Sequence, residues 1–411
     1  MDSFLKNIKN SSHIIASLKP SEKNRILHLI ANALRDNKAT IIEENRKDVY
    51  AGKNSGLNSA LLDRLYLDKT RVEAMAKAID EIAMLKEPVG RILDGWVVPS
   101  GLRIEKVSIP IGVIAIIYES RPNVTSDTAA LCFKSGNVCV LKGGKEAHNS
   151  NRIIAQTMQR VLLENDLPKD IISLIPDSTR EGVAKLIKMD KYIDLVIPRG
   201  GEALIRYISE NATVPVVKHD KGLCHTYIDK DADISSAVKI AINAKCQRTG
   251  VCNAMETLLV HVDVSDRVLK LLKVEFDKFG TELRGCELTL DSIEVKLASE
   301  EDFSTEYLEN ILSIKIVNSV NEAIEHINQF GSGHSEAIIT ENYTTGEKFL
   351  NEVDSACVYI NASTRYTDGA EFGFGAEVGI STNKLHARGP MGINDLTTYK
   401  FKIYGKGNVR A

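Results

Sequence analysis

The stretch Val113-Ile-Ala-Ile-Ile117 is an uninterrupted apolar run, mostly of β-branched residues, and is long enough for one strand. A strand without a polar face is buried on both sides, as in a parallel sheet that helices cover. A helical pattern follows near residues 124–134, and a second apolar run, Val138-Cys-Val-Leu141, comes after it. This spacing is typical of a β-α-β unit, so the stretch predicts a parallel α/β sheet.

The alternation of strand and helix continues towards the C-terminus. Further strands are predicted at 171–175, 193–197 and 214–217, with helices at 148–164, 180–188 and 200–210. A second series of helices and strands over residues 232–361 predicts a second α/β domain. Residues 1–93 have apolar side chains at helical spacing and should be mostly helical. The segment 397–404 alternates polar and apolar residues and predicts an exposed edge strand.

Length and composition narrow the function. The 411 residues suggest about two or three domains. A formal charge of -3, without a long run of cations, speaks against nucleic-acid binding. No apolar run approaches the roughly 20 residues that span a bilayer, and no signal peptide is seen, so a cytoplasmic enzyme of small molecules is expected. The seven cysteines include no Cys-x-x-Cys pair and should be free thiols, and no metal site is predicted.

The segment 243–256 joins a predicted helix to a predicted strand and contains two cysteines, Cys246 and Cys252. Nearby positive charge or backbone amides are needed to form a thiolate at neutral pH. Lys245, Arg248 and a turn at Gly250 could supply both. On these residues alone, a small buried cysteine without chemistry remains the alternative.

No Gly-x-Gly-x-x-Gly or Walker motif occurs, so a nucleotide cofactor must bind in another way. One candidate is the strand exit at residues 138–145, where glycines let a ligand approach the backbone and Lys142 and Lys145 can meet phosphate. A second candidate is the exit 197–202, which opens a helix whose first amides could hold a pyrophosphate. Ordinary strand-to-helix turns have the same composition.

Longer motifs point to one family. They are Pro110-Ile-Gly-Val-Ile-Ala-Ile-Ile-Tyr-Glu-Ser-Arg-Pro-Asn123, Lys134-Ser-Gly-Asn-Val-Cys-Val-Leu-Lys142, Leu62-Asp-Arg-Leu65, Val251-Cys-Asn-Ala-Met-Glu-Thr257, Gly331-Ser-Gly-His-Ser-Glu336 and Asn361-Ala-Ser-Thr-Arg-Tyr-Thr-Asp-Gly369. Together they resemble the glutamate-5-semialdehyde dehydrogenase family, also called gamma-glutamyl phosphate reductases, within the aldehyde dehydrogenase superfamily. The resemblance runs over nearly the whole chain.

The resemblance implies an aldehyde dehydrogenase-like α/β fold with two parallel-sheet domains and a small β element for oligomerisation. Residues 1–96 and 110–226 would form the cofactor-binding domain, and residues 227–390 the catalytic domain. Residues 97–109 and 391–411 would form the oligomerisation element of a homo-oligomer. An association with glutamate 5-kinase, which makes the labile acyl phosphate, is a further expectation.

The resemblance also assigns roles to single residues. Cys252 falls on the catalytic cysteine, whereas Cys246 has no role. Lys142 matches the lysine that contacts the adenosine ribose, and Glu306 matches the glutamate that holds the nicotinamide ribose. The two strand exits described above add Lys145, Arg199, Gly200 and Gly201 as cofactor-binding candidates. A cation at Lys145, where NAD-preferring relatives often carry a glutamate, favours NADPH. The tetrahedral oxyanion would be held by the Cys252 amide and a side chain of the 118–123 loop, Ser120 or Asn123. Substrate anions need cations, and Arg121, Arg248 and Arg365 are the candidates by their charge; the alternative for each is a structural arginine.

The predicted reaction is the NADPH-dependent reduction of L-glutamyl 5-phosphate through a Cys252 thioester, the second step of proline synthesis. The stretch 219–225 lacks the glutamate with which hydrolytic aldehyde dehydrogenases activate water, which fits an acyl group handed to phosphate. Thr249 and Glu336 depart from the family pattern. Rival hypotheses are a phosphate-independent aldehyde dehydrogenase, an acyl-thioester reductase, and a non-catalytic binding protein that kept the fold.

Overall fold

A computed structural model describes residues 1–218 and 221–410, which form two compact units. The first unit contains residues 1–218, 373–379 and the chain from 391 onward, and the second contains residues 221–372 and 380–390. Both are built on parallel sheets covered by helices, so the predicted α/β class is confirmed. Among the described residues, no helix is long and apolar enough to cross a membrane.

The first unit begins with five helices, as the apolar spacing predicts. They are α1 (Asp2–Ser17), α2 (Pro20–Asp36), α3 (Lys38–Asn54), α4 (Ser59–Leu65) and α5 (Lys69–Met84). The faces that α2 and α5 bury consist mostly of aliphatic side chains at helical spacing, such as Ile26, Ile30 and Leu34. The side chain of Asp68 caps α5 by accepting from the amide of Arg71, a contact of about 1 kcal/mol.

The remaining elements of the first unit up to residue 218 form a hairpin and then a parallel sheet. They are β1 (Ile92–Val97), β2 (Arg103–Pro110), β3 (Val113–Tyr118), α6 (Pro122–Lys134), β4 (Val138–Gly143), α7 (His148–Leu163), β5 (Ile172–Leu174), α8 (Arg180–Leu186), β6 (Leu195–Arg199) and α9 (Glu202–Asn211). The sheet is parallel with the order β5-β4-β3-β6, and every residue of β3 and β4 is buried. The apolar runs at 113 and 138 are therefore its central strands, as predicted.

The second unit contains a larger parallel sheet. Its elements are β7 (Cys224–Ile228), α10 (Ile234–Cys246), β8 (Met255–His261), α11 (Val262–Lys278), β9 (Glu282–Gly285), α12 (Glu287–Ser292), β10 (Lys296–Leu297), β11 (Ile311–Val317), α13 (Val320–Phe330), β12 (Ser335–Ile339), α14 (Tyr343–Glu352) and β13 (Cys357–Ile360). The strand order is β10-β9-β11-β8-β7-β12-β13, and all neighbours are parallel. The loops after β7 and before β8 thus belong to adjacent strands.

The last strands are β14 (Gly379–Ser381), β15 (Gly389–Met391) and β16 (Thr397–Tyr404). In the first unit, β16 pairs with β2 in an antiparallel sheet of order β1-β2-β16. Almost every residue of β16 is exposed, so the predicted edge strand at the C-terminus is confirmed.

Three local predictions need correction. The strand predicted at 214–217 makes only one isolated bridge, between Val196 and Val216. Residues 92 and 93 belong to β1 and not to the preceding helical region. The strand β7 is missing from the prediction, because its Cys-His-Thr-Tyr-Ile sequence has a polar composition although every residue is buried.

Candidate active site

Cys252 lies in the loop between α10 and β8 and is partly exposed. The thiols of Cys246 and Cys286 are also partly exposed, but each forms a hydrogen bond with a threonine hydroxyl, at 3.4 and 3.3 Å. Burial raises the pKa of the Cys246 thiol. The other four cysteines are buried.

Arg365 lies near both Arg248 and Cys252 in the second unit. The Nε of Arg365 donates to Oε1 of Gln247 at 2.9 Å. Burial lowers the pKa of Arg365, the positive charge of Arg248 lowers it further, and the thiol of Cys252 acts in the opposite direction. Arg365 is therefore within electrostatic range of both Arg248 and the Cys252 thiol, and a cation beside a thiol favours the thiolate.

Lys245 does not serve Cys252 in the way that the sequence suggested. Its Nζ lies 2.5 Å from Oε2 of Glu256, and both side chains are completely buried. Burial raises the pKa of Glu256 to about 7, although Lys245 opposes this shift. The ion pair joins the last turn of α10 to β8 and so fixes both ends of the loop that carries Cys252.

The backbone of Cys252 is held from the opposite side by the segment before β7. A Cβ atom on Gly222 would lie 1.9 Å from the carbonyl oxygen of Cys252 and 2.3 Å from its Cα, so only glycine fits there. The buried thiol of Cys224 donates to the same carbonyl oxygen at 3.2 Å. Burial raises the pKa of Cys224 well above the ordinary thiol value, so Cys224 stays protonated as a donor.

Asn253, which follows Cys252 in the loop, is hydrogen-bonded to the turn that contains Arg365. Its side-chain Nδ2 donates to the backbone carbonyl oxygen of Thr367 at 2.8 Å, and its backbone carbonyl oxygen accepts from the hydroxyl of Thr364 at 2.8 Å. Asn253 is 5 % exposed, so these bonds are shielded from water. They place Arg365 in a fixed position relative to Cys252.

Glu306 belongs to the same cluster. Its Oε1 accepts from the amide of Gly222 at 2.8 Å, and Gly222 packs on Cys252. The residue predicted to hold the nicotinamide ribose and the predicted nucleophile thus flank one glycine. Gly222, Cys224 and Asn253 were not singled out from the sequence, since only contacts between distant segments give them a role.

In the first unit, Lys142 is the last residue but one of the strand β4 and is 3 % exposed. Burial lowers its pKa, while the carboxylates of Asp177 and Glu146 act in the opposite direction. Lys145 begins a short 3-10 helix and is exposed. One lysine is thus built into the strand exit, and the other is accessible to a charged ligand.

The 118–123 loop is anchored to that strand exit. The amide and the hydroxyl of Ser120 both donate to Oε1 of Glu146, at 2.7 and 2.9 Å. Asn123 is exposed, and its amide group donates to Oδ2 of Asp127 at 2.9 Å. Burial raises the pKa of Asp127 to about 6. Arg121 is exposed at the N-terminal end of α6. The catalytic roles predicted for Ser120 and Asn123 stay predictions.

The second predicted phosphate site holds an internal carboxylate. Oε2 of Glu119 accepts from the amide of Gly201, just before α9, at 2.8 Å. A Cβ atom on Gly200 would lie 2.7 Å from the same oxygen. The backbone carbonyl oxygen of Arg199 accepts from the amide of Glu119 at 3.3 Å. The amide of Gly201 is therefore already bonded to the carboxylate of Glu119. A cofactor phosphate can bind to this amide only after Glu119 moves away.

No group of three or more potential metal-ligating His, Cys, Asp or Glu side chains occurs within residues 1–218 and 221–410. His219 and Asp220, which belong to the stretch compared with the water-activating motif, lie outside the described residues. The remainder of that stretch, residues 221–225, supplies Gly222 and Cys224 to the cluster around Cys252.

The sequence profile of the aldehyde dehydrogenase family matches residues 1–284 and 296–401. A gamma-glutamyl phosphate reductase from a Nitratiruptor species is 67 % identical over 411 residues, which is 100 % of both chains. The protein of the same name from Sulfurimonas denitrificans is 67 % identical over 410 residues and is likewise covered completely.

Among solved structures, the gamma-glutamyl phosphate reductase of Thermotoga maritima superposes with a TM-score of 0.98 at 46 % identity. The superposition covers 100 % of this chain and 99 % of that chain. An acetylating aldehyde dehydrogenase from Geobacillus thermoglucosidasius matches with a TM-score of 0.71 at 19 % identity, over 100 % of this chain and 97 % of that one. That second likeness concerns the fold alone.

Proposed function

The chain belongs to the gamma-glutamyl phosphate reductases of the aldehyde dehydrogenase family, and we propose that it forms its acyl intermediate on Cys252. The enzyme reduces L-glutamyl 5-phosphate to L-glutamate 5-semialdehyde in proline biosynthesis. The observation that carries the proposal is the position of Arg365, which is within electrostatic range of the partly exposed Cys252 and of Arg248.

In the proposed reaction the Cys252 thiolate attacks the acyl carbon of glutamyl phosphate. The carbon–oxygen bond to phosphate breaks, phosphate leaves with the bonding electrons, and a thioester to Sγ remains. The Cys252 backbone amide stabilises the negative oxygen of the tetrahedral intermediate. Arg248 and Arg365 attract the anionic groups of the substrate and favour the thiolate.

The residues at the strand exits suit a nicotinamide dinucleotide. Lys142 and Lys145 supply positive charge, and Glu306 supplies a carboxylate for ribose hydroxyls. We infer NADPH over NADH, because the exposed cation of Lys145 is able to pair with a 2′-phosphate. When bound, the nicotinamide supplies the hydride that reduces the thioester. Cys252 Sγ then leaves the reduced carbon as a thiolate, which releases the aldehyde.

We also infer a homo-oligomer that assembles through the sheet β1-β2-β16. Its strands expose large apolar side chains on one face, including Trp96, Phe401 and Ile403, which are 41 %, 51 % and 60 % exposed. Contiguous exposed apolar surface on an edge sheet favours pairing with another copy. An association with glutamate 5-kinase remains a prediction.

Steady-state reduction of NADP by glutamate semialdehyde tests the nucleophile and the acyl acceptor together. We expect turnover to require phosphate or arsenate, Cys252→Ala to abolish it, and Cys246→Ala to keep it, since the Cys246 thiol is bonded to Thr281. Equal rates with and without phosphate would refute the phosphorolytic mechanism. A Cys252→Ala protein with wild-type turnover would remove the nucleophile.

A further inference from the structure

The buried pair Lys245–Glu256 is costly for the protein to maintain. Both side chains are 0 % exposed, and taking two charges out of water cancels much of the attraction between them. An apolar pair of similar volume would hold α10 against β8 at least as well. The pair therefore calls for an explanation other than stability.

The second carboxylate oxygen of Glu256 points to that explanation. Oε2 is bonded to Lys245, while Oε1 accepts from the backbone amide of Leu308 at 3.2 Å. Leu308 has a φ of 54°, a left-handed conformation that is unfavourable for a leucine. A carboxylate bond to its amide stabilises this conformation, which a β-carbon otherwise disfavours.

The same lysine also lies near the residue before Leu308. The Nζ of Lys245 lies 5.9 Å from the centre of the Tyr307 ring, and the Tyr307 hydroxyl donates to Asp302 at 2.7 Å. The ion pair thus holds residue 308 by a hydrogen bond, and its lysine lies near the ring of residue 307. The residue immediately before them is Glu306, whose Oε1 is fixed on the amide of Gly222.

We propose that Lys245 and Glu256 are positioning residues that hold the 306–308 turn, and with it Glu306, in the place where Glu306 binds the nicotinamide cofactor. The inference rests on the proposed function, from which it takes the role of Glu306. Glu256 contacts neither substrate nor cofactor in this proposal and acts only through the turn. Within one chain, the contacts run from the Lys245–Glu256 pair through Glu306 and Gly222 to the backbone of Cys252.

The test replaces the pair with apolar side chains and measures cofactor affinity. In the variant Lys245→Met/Glu256→Leu no buried charge is left unpaired, so the protein should fold. The amide of Leu308 loses its acceptor. The dissociation constant for NADPH, measured by its fluorescence on binding to the full chain, should rise about tenfold.

A double-mutant cycle separates positioning from general damage. Glu306→Gln should by itself weaken NADPH binding about tenfold, and adding Lys245→Met/Glu256→Leu to it should weaken binding by no more than about twofold, because both changes act through the same carboxylate. Two losses that multiply would show that the pair does not act through Glu306. Wild-type affinity in Lys245→Met/Glu256→Leu would overturn the proposal outright.

The matched control is Lys23→Met/Glu87→Leu, which makes the same two substitutions at an ion pair in the first unit. It should leave the NADPH dissociation constant unchanged. A comparable loss in the control would identify a non-specific effect and refute the positioning role. Turnover of the wild type in the absence of phosphate would refute the phosphorolytic mechanism. The comparison of NADPH affinities would still test the positioning role. A wild type that binds neither NADPH nor NADH would overturn both proposals.

Discussion

The thiol of Cys224 donates a hydrogen bond to the backbone carbonyl of Cys252 at 3.2 Å, so one buried cysteine helps to fix the peptide of another. Such a bond contributes about 0.5–1.5 kcal/mol, and its loss leaves a shielded carbonyl oxygen without this donor. The bond matters for catalysis only if the position of the Cys252 backbone matters. Both cysteines are within the second unit, so its effect is local.

The first prediction follows from this bond. We expect Cys224→Ala to lower kcat about two- to tenfold, in line with the loss of one such bond at the nucleophile. Cys224→Ser, which keeps a donor of smaller size, should retain more activity than Cys224→Ala. The measurement is steady-state turnover with phosphate present. Equal activity of the alanine variant and the wild type would show that the bond is dispensable.

The second prediction concerns the glycine that packs on the nucleophile. Gly222→Ala places a Cβ atom 1.9 Å from the Cys252 carbonyl oxygen, and its nearest neighbours are backbone atoms, which cannot rotate away. We expect the free energy of unfolding to fall by about 1–3 kcal/mol. A displaced nucleophile should also lower kcat about 100-fold.

The control for this change is Gly250→Ala in the loop that carries Cys252. A Cβ atom there meets only the carbonyl oxygen of Leu308, at an ordinary 3.6 Å. Urea unfolding and turnover of this variant should remain close to the wild type. If Gly222→Ala behaves like Gly250→Ala, the close packing against Cys252 has no functional weight.

How much of the fold the sequence predicts depends on how polar each strand is. The strands β3 and β4 can be predicted from their apolar runs, because the pattern and length of these runs are typical of a parallel strand that helices cover. The strand β7 cannot be predicted in this way, because its polar side chains are buried only where distant segments of the chain provide hydrogen-bond partners. His225 receives one from Glu336, whose Oε2 lies 3.0 Å from its Nδ1, and this partner is 111 residues further along the chain.

The residues of the candidate site also differ in how far the sequence predicts them. Cys252, Arg248 and Arg365 fall on motifs that the sequence carries locally or in a matched signature. The supporting residues do not, because their roles come from contacts between segments. A signal for one of them was nevertheless present: Glu256 is a carboxylate in a strand whose other residues are mostly apolar, and Lys245 precedes it on the buried face of a helix. Buried opposite charges in neighbouring elements indicate a pair.

The third prediction is a pH dependence of stability. Burial lowers the pKa of His326 to about 3, and the charges of His225 and Lys315 contribute in the same direction. The unfolded chain binds a proton at this histidine below about pH 6.5, whereas the folded protein does so only near pH 3, so stability falls as the pH falls through this window. Between pH 6.5 and 5 the loss should be about 2 kcal/mol.

Urea unfolding at these two pH values checks the histidine. His326→Phe should reduce the loss by about 2 kcal/mol, since phenylalanine carries no titrating group and the site is already lined by Phe303 and Phe330. The exposed His13, changed to Asn, should leave the wild-type slope. An unchanged slope in His326→Phe would assign the acid sensitivity to other groups.

The fourth prediction concerns cofactor choice. Lys145→Glu exchanges the exposed cation at the β4 exit for an anion that repels a 2′-phosphate. We expect KM for NADP to rise about tenfold or more and KM for NAD to change little, so that the ratio of the two shifts towards NAD. The exposed Lys188, changed to Glu, controls for net charge. Parallel changes with both cofactors would show that Lys145 does not read the 2′-phosphate.

The fifth prediction concerns assembly through β16. Tyr399, Phe401 and Ile403 alternate with polar residues, so they share one face of this edge strand. The ring of Phe401 meets the rings of Trp96 and Tyr399 edge-on, with centroids 6.1 and 5.6 Å apart, which makes one aromatic patch. A carboxylate in the middle of such a patch cannot be desolvated cheaply when a second copy covers it. Phe401→Asp should therefore lower the mass of the particle measured by light scattering, whereas Thr398→Asp, the same change of charge on the opposite face of β16, should not.

If both variants keep the wild-type mass, the oligomer does not form through this face. If both variants have a lower mass, the added charge and not the apolar patch is responsible.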